Sequence, residues 1–182
     1  MARISLDPPR TLVTRAVSWF SRRTYGADLD PSRAMGHHPS LLLTVGRFEQ
    51  RIARWDALDP RLKHLAVMGA AHAIGCRWCT DFGYWLSATD GLSEDVLRDV
   101  PTWRTSDRFT PVERQVLAYA EAMCATPDEV TDEMVAALDA ALGTRALVEL
   151  TMMVAVENQR SRFNSALGLT SQGFADRCEV PA

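Results

Sequence analysis

The stretch GCRWCTDFGYW, residues 75–85, places Cys76 and Cys79 three positions apart in a chain with four cysteines. Three chemistries suit two thiols at this spacing. They can act as small apolar residues in tight helix packing. They can supply half of a tetrahedral metal site, but Cys124, Cys178 and the four histidines lie at no paired spacing that would complete one, so no metal is expected. Or they can cycle between dithiol and disulfide. A helix that starts at the first cysteine would favour a thiolate there, and three-residue spacing lets the second sulfur reach the first across one turn. Asp81, just beyond the pair, suits the helix start better than proton transfer.

Other residues of chemical type surround this pair. Trp78, Phe82, Tyr84 and Trp85 follow the cysteines on the same segment and read either as core and subunit contacts or as the wall of an apolar pocket. Trp78, Phe82 and Trp85 are the candidate substrate contacts. Farther on, ENQRSRFN interrupts an apolar helix with Glu157, Asn158, Arg160, Arg162 and Asn164. Glu157 with Arg160 and Asn158 with Arg162 have helix-surface pairing distances, as in a polar helix contact. Arg162 could alternatively hold a carboxylate in its guanidinium fork.

The elements that must position these residues are helical. Apolar residues recur at helical spacing along almost the whole chain, and no segment alternates as a strand would, so the class is all-α. Helices are expected over Pro8 to Tyr25, from a Ser40 cap to about Trp55, and from an Asp59 cap through Ile74. This last one is apolar around most of its circumference and should be central. Gly75 breaks it, and the cysteines open a helix to about Ala88. GLSED begins a short helix, Thr110 caps one to Ala125, and Thr131 caps one to Leu142. A core helix covers Ala146 to Leu167, and a surface tail begins at Thr170.

Composition bounds the function. With 47% hydrophobic and 24% charged residues, 182 residues suffice for one sizeable core, and one domain is expected. Net charge is -3 and no basic run dominates any segment, which excludes nucleic acid and anionic membrane as main partners. MARISLDPPR interrupts any secretory leader with Asp7 and two prolines, no segment is apolar long enough to span a bilayer, and a cytoplasmic location is expected.

Three blocks in order, LDPRLKHLAVMGAAHAIGCRWC, FTPVERQVLAYAEAM and LVELTMMVAVENQRSRFNSALGL, resemble the carboxymuconolactone decarboxylase and alkylhydroperoxidase AhpD-like superfamily, from Leu41 to Leu169. The resemblance implies a helical domain over 41–169, with residues 1–40 packing on it and 170–182 as a tail. It implies a homo-oligomer, a dimer, trimer or hexamer. In the peroxidase branch a Cys-x-x-Cys reduces small organic hydroperoxides, is recycled by a dithiol or protein thiol reductant, and needs no cofactor. There the second cysteine attacks and the first resolves, which maps onto Cys79 and Cys76, whereas a helix-dipole argument alone picks Cys76 as the more acidic thiol. The branch also carries a glutamate twelve residues before the first cysteine and a histidine four after the second. Those positions here are His64 and Gly83. An imidazole with a pKa near ~6.5 can deprotonate a thiol itself, so His64 is the expected base. His72 and the His37–His38 pair are expected to be structural. The decarboxylase branch supplies the alternative: a lyase acting on a small carboxylate, with incidental cysteines. A non-catalytic relative is a further one.

Overall fold

The computed structural model describes residues 2–178, and among them every regular element is helical. They fall into two compact units, 2–55 with 167–169 and 56–166 with 170–178.

The first unit contains α1 (Leu12–Tyr25), α2 (Asp30–Met35) and α3 (Pro39–Ile52). Helix α1 starts four residues later than expected because Thr11 and Thr14 form a reciprocal cap: the Thr11 hydroxyl accepts the Thr14 N–H at 3.1 Å and the Thr14 hydroxyl accepts the Thr11 N–H at 2.9 Å. For α3 the cap is His38, whose Nδ1 accepts the Leu41 N–H at 3.3 Å, with Pro39 as the first helical residue where no N–H is needed. Ser40, the expected cap, lies one residue inside.

The second unit contains α4 (Pro60–Ile74), α5 (Arg77–Thr89), α6 (Glu94–Asp99), α7 (Pro111–Cys124), α8 (Asp132–Leu142) and α9 (Thr144–Ala166). Helix α4 is central, as its pattern requires. Its Leu62, Ala66 and Ala70 join Val116, Ala120, Leu138, Leu150 and Val154 in one core, while its Leu65 and Met68 join Val96, Val100, Trp103 and Leu117 in a second. Small residues let α4 and α7 approach closely: a Cβ added to Gly69 would lie 3.0 Å from Leu117 Cδ2. Arg61 at the start of α4 pairs with Glu113 at the start of α7, and Lys63 reaches Glu149 of α9 at 2.7 Å.

Residues 170–178, expected to begin a surface tail, are instead anchored on α5. Phe174 is fully buried, and its ring meets Phe82 edge-on at 5.1 Å and Trp85 at 5.5 Å. Asp81 accepts the Gln172 N–H at 2.8 Å and the Ala175 N–H at 2.9 Å, and the Trp78 indole donates to Gln172 Oε1 at 2.7 Å. A single aromatic in a polar stretch carries no periodic signal, which is why this anchor was not visible in the sequence.

Candidate active site at the start of α5

Gly75 closes α4 with φ of +74°, a left-handed conformation that favours glycine, and turns the chain so that the Cys76 N–H bonds Ala71 O at 3.0 Å. Cys76 then becomes the N-cap of α5, its Sγ accepting the Cys79 N–H at 3.2 Å. The two cysteines are joined as a disulfide with Cα atoms 5.3 Å apart. Both are buried, at 1% and 6% exposure. The unpaired amides of the first turn and the helix dipole favour negative charge on these sulfurs after reduction.

Helix α9 supplies the opposite wall. Glu157, Ser161 and Asn164 recur at i, i+4 and i+7 and so share one face. The Ser161 Oγ lies 3.3 Å from Cys79 Sγ and 2.8 Å from Glu157 Oε1, and the Asn164 Nδ2 lies 3.3 Å from Cys79 Sγ and 4.0 Å from Cys76 Sγ. Glu157 also pairs with Arg160 at 3.3 Å. Ser161 and Glu157 are 0% and 2% exposed, so a hydroxyl and a carboxylate are carried into the interior at the sulfur of Cys79.

Cys76, Cys79 and Trp78 are therefore brought together at one helix start, and Trp78, Phe82 and Trp85 cluster along α5, with Trp78 stacked on Phe82 at 4.9 Å and Trp85 at 5.8 Å from Phe82. His64 stands apart from this group. Its Nδ1 pairs with the Ser87 hydroxyl at 3.0 Å and its Nε2 with Asp90 at 3.2 Å, beside an open cleft lined by Asp59, Arg61 and Leu92. Burial lowers its pKa, against the opposing pull of Asp90. His72 is half-buried and is shifted down by desolvation. Arg162 is exposed and reaches Thr126 at 3.5 Å, on the connection between α7 and α8. At Gly83 a Cβ would lie 2.8 Å from the Met68 sulfur, so Met68 occupies the space that a side chain there would need. The sequence reading places Glu157 and Asn164 in a polar helix contact and gives Ser161 no role. The i, i+4, i+7 spacing of those three within an apolar helix was the available signal.

The profile of the Carboxymuconolactone decarboxylase family matches residues 39–122, which contain both Cys76 and Cys79. Along almost its full length the chain is also similar to the uncharacterized protein YnjA of Escherichia coli, at 35% identity over 171 residues, 93% of this chain and 92% of that one. The chain belongs to the carboxymuconolactone decarboxylase and AhpD-like superfamily. Solved structures share this superfamily's helical fold. An uncharacterized peroxidase-related protein with an AhpD core from Ralstonia eutropha superimposes with a TM-score of 0.85 at 16% identity, over 100% of this chain and 98% of that one. A cysteine-to-alanine variant of the debrominase Bmp8 in complex with 2,3,4-tribromopyrrole superimposes with a TM-score of 0.84 at 19% identity, over 98% and 97%. No described helix of this superfamily member is long and apolar enough to cross a membrane.

Proposed function

We propose that this protein is a thiol-dependent oxidoreductase that reduces small organic hydroperoxides by cycling Cys76 and Cys79 between dithiol and disulfide. The observation that carries the reading is the buried Cys76–Cys79 disulfide at the N-terminus of α5, with hydrogen-bond donors from α9 at Cys79 Sγ. Cys79 attacks: its thiolate takes the distal oxygen of ROOH, a sulfur–oxygen bond forms, the oxygen–oxygen bond breaks, and RO⁻ leaves and is protonated to ROH. Cys76 resolves: its sulfur displaces the oxygen of the sulfenic acid, giving the disulfide and water. An external dithiol or protein thiol then returns both cysteines to thiols and is itself oxidised. This cycle needs no cofactor. The lyase alternative gives the sulfurs and their α9 partners no chemical task, which weighs against it.

Intact-mass measurement with peptide mapping tests the reading. Reduced wild type should lose two hydrogens between Cys76 and Cys79 on exposure to cumene hydroperoxide. Cys79→Ser should consume no peroxide. Cys76→Ser should pass beyond the sulfenic acid and gain two oxygens at Cys79, because its resolving partner is gone. Thiols that stay free in the wild type under peroxide, and through turnover of a small carboxylate, would move the lyase reading ahead.

A further inference from the structure

The proton chemistry of Cys79 has no base on α4 or α5 of the expected kind. His64 is held by Ser87 and Asp90, and the space at Gly83 is filled by Met68. What touches Cys79 Sγ instead comes from α9: the Ser161 hydroxyl at 3.3 Å, itself 2.8 Å from the Glu157 carboxylate. We propose that Glu157 is the proton acceptor of Cys79 and that Ser161 is the bridge through which the proton travels. The proposal rests on the peroxidase reading for its role in turnover but not for the transfer itself.

In the reduced protein the Cys79 S–H faces Ser161 Oγ while the Ser161 O–H donates to Glu157. Moving one proton along each link gives a Cys79 thiolate that accepts the Ser161 O–H, and a Glu157 carboxylic acid that donates to Ser161 Oγ. No charge is created, because the negative charge passes from carboxylate to sulfur. When the thiolate attacks ROOH, the alkoxide that leaves takes a proton back through the same bridge, and Glu157 returns to the carboxylate. Asn164 holds the sulfur end, its Nδ2 donating to Cys79 Sγ at 3.3 Å. The Oδ1 of the same amide is buried without a hydrogen-bond partner, leaving beside the sulfurs an acceptor that a hydroperoxide O–H or a thiol S–H would satisfy. Titratable groups that face Glu157 include Arg160 on its own helix, paired with it at 3.3 Å, Cys79 of α5 through Ser161, and Cys124 of α7. Burial pushes the Cys124 thiol up against an opposing hydrogen bond from Asn158, with the Glu157 charge adding to the rise, so it does not compete as an acid at neutral pH.

A carboxylate and a thiol that share a proton titrate as a pair, with one step in the carboxylate range and one in the thiol range. The rate of Cys79 alkylation by iodoacetamide in the reduced protein, located by peptide mapping, should therefore rise in two steps with pH in the wild type. Glu157→Gln and Ser161→Ala should lose the lower step and keep the upper, while Ser161→Thr, which retains a hydroxyl, should keep both. Oxidation by cumene hydroperoxide should slow about 100-fold in the first two variants between the two steps, with the deficit closing above the thiol range. A merely structural role would lower the rate at every pH. A single-step wild-type profile, or a folded Glu157→Gln that keeps both steps, overturns the relay. The alkylation profile decides this even if the wild type reduces no hydroperoxide, a result that would instead overturn the proposed function.

Discussion

At Cys79 two side chains, Ser161 and Asn164, meet one sulfur at 3.3 Å from a helix more than eighty residues away in sequence, whereas the Cys76 sulfur is met by a backbone amide three residues on and only distantly, at 4.0 Å, by Asn164. The two thiols thus differ in environment although they share a turn: one has an amide and the helix dipole, the other a hydroxyl backed by a carboxylate. The second environment can accept a proton as well as stabilise charge, as the proposed attack by Cys79 requires. His64 is the residue whose expected task is not supported by its neighbours. With both ring nitrogens engaged by Ser87 and Asp90, its removal should cost stability more than chemistry. His64→Ala is expected to lower stability by about 1–2 kcal/mol, the cost of leaving the buried Ser87 hydroxyl without that partner. The rate with cumene hydroperoxide should change less than about twofold, not the roughly 100-fold that loss of a general base brings. Urea unfolding and a peroxide assay on the same preparation separate the two effects.

At the scale of elements, α5 is held from two sides. Its start is set by Gly75 and by the Cys76 cap, and its aromatic face is covered by Phe174, which Asp81 pins in place through the N–H groups of Gln172 and Ala175. Asp81→Ala would leave both N–H groups without their acceptor, and the expected loss is about 2–3 kcal/mol. Release of the segment should also expose Trp85 and Phe82, seen as a red shift in tryptophan emission and faster cleavage near residue 172 by protease. Unchanged stability and cleavage would mean that Phe174 holds the segment by packing alone. The cysteine pair was readable because its spacing is local to one turn. The Phe174 contact and the α9 wall were not, because each joins residues about ninety apart.

For the whole molecule, two expectations follow from charge and from exposed apolar surface. Burial raises the Glu113 carboxyl, but hydrogen bonds from Arg61 and Thr110 outweigh it and hold the pKa below the ordinary value. Since the folded value lies below the unfolded value of about 4.3, the stabilisation is complete above that pH and fades as pH falls through the folded value. Glu113→Gln should therefore be less stable by about 1–3 kcal/mol at pH 7, with the gap to wild type narrowing below pH 4 in urea titrations. Leu12 and Trp19 of α1 are 82% and 67% exposed, and Val148 and Met152 of α9 are also exposed. Apolar surface of this kind is commonly covered by other copies of a chain. Light scattering at micromolar concentration is expected to give a multiple of 20.2 kDa, and a monomer mass would remove the expectation.

The amino-acid sequence by itself determined the helical class, the punctuation of most helices by Gly75, Asp59, Ser93, Thr110 and Thr131, the centrality of α4, and the family to which the Cys-x-x-Cys belongs. These depend on periodicity, caps and turn residues, all of which act within a few residues of one another. Only the tertiary structure decided which side chains reach the sulfurs. The face of α9 that turns toward α5 is set by packing around Leu150, Val154 and the small residues of α4, and that rotation brings Ser161 to Cys79 and leaves Arg162 outside. One step along a helix turns a side chain by about 100°, so neighbours in sequence such as these fall on opposite sides of a boundary that only the packed neighbours define.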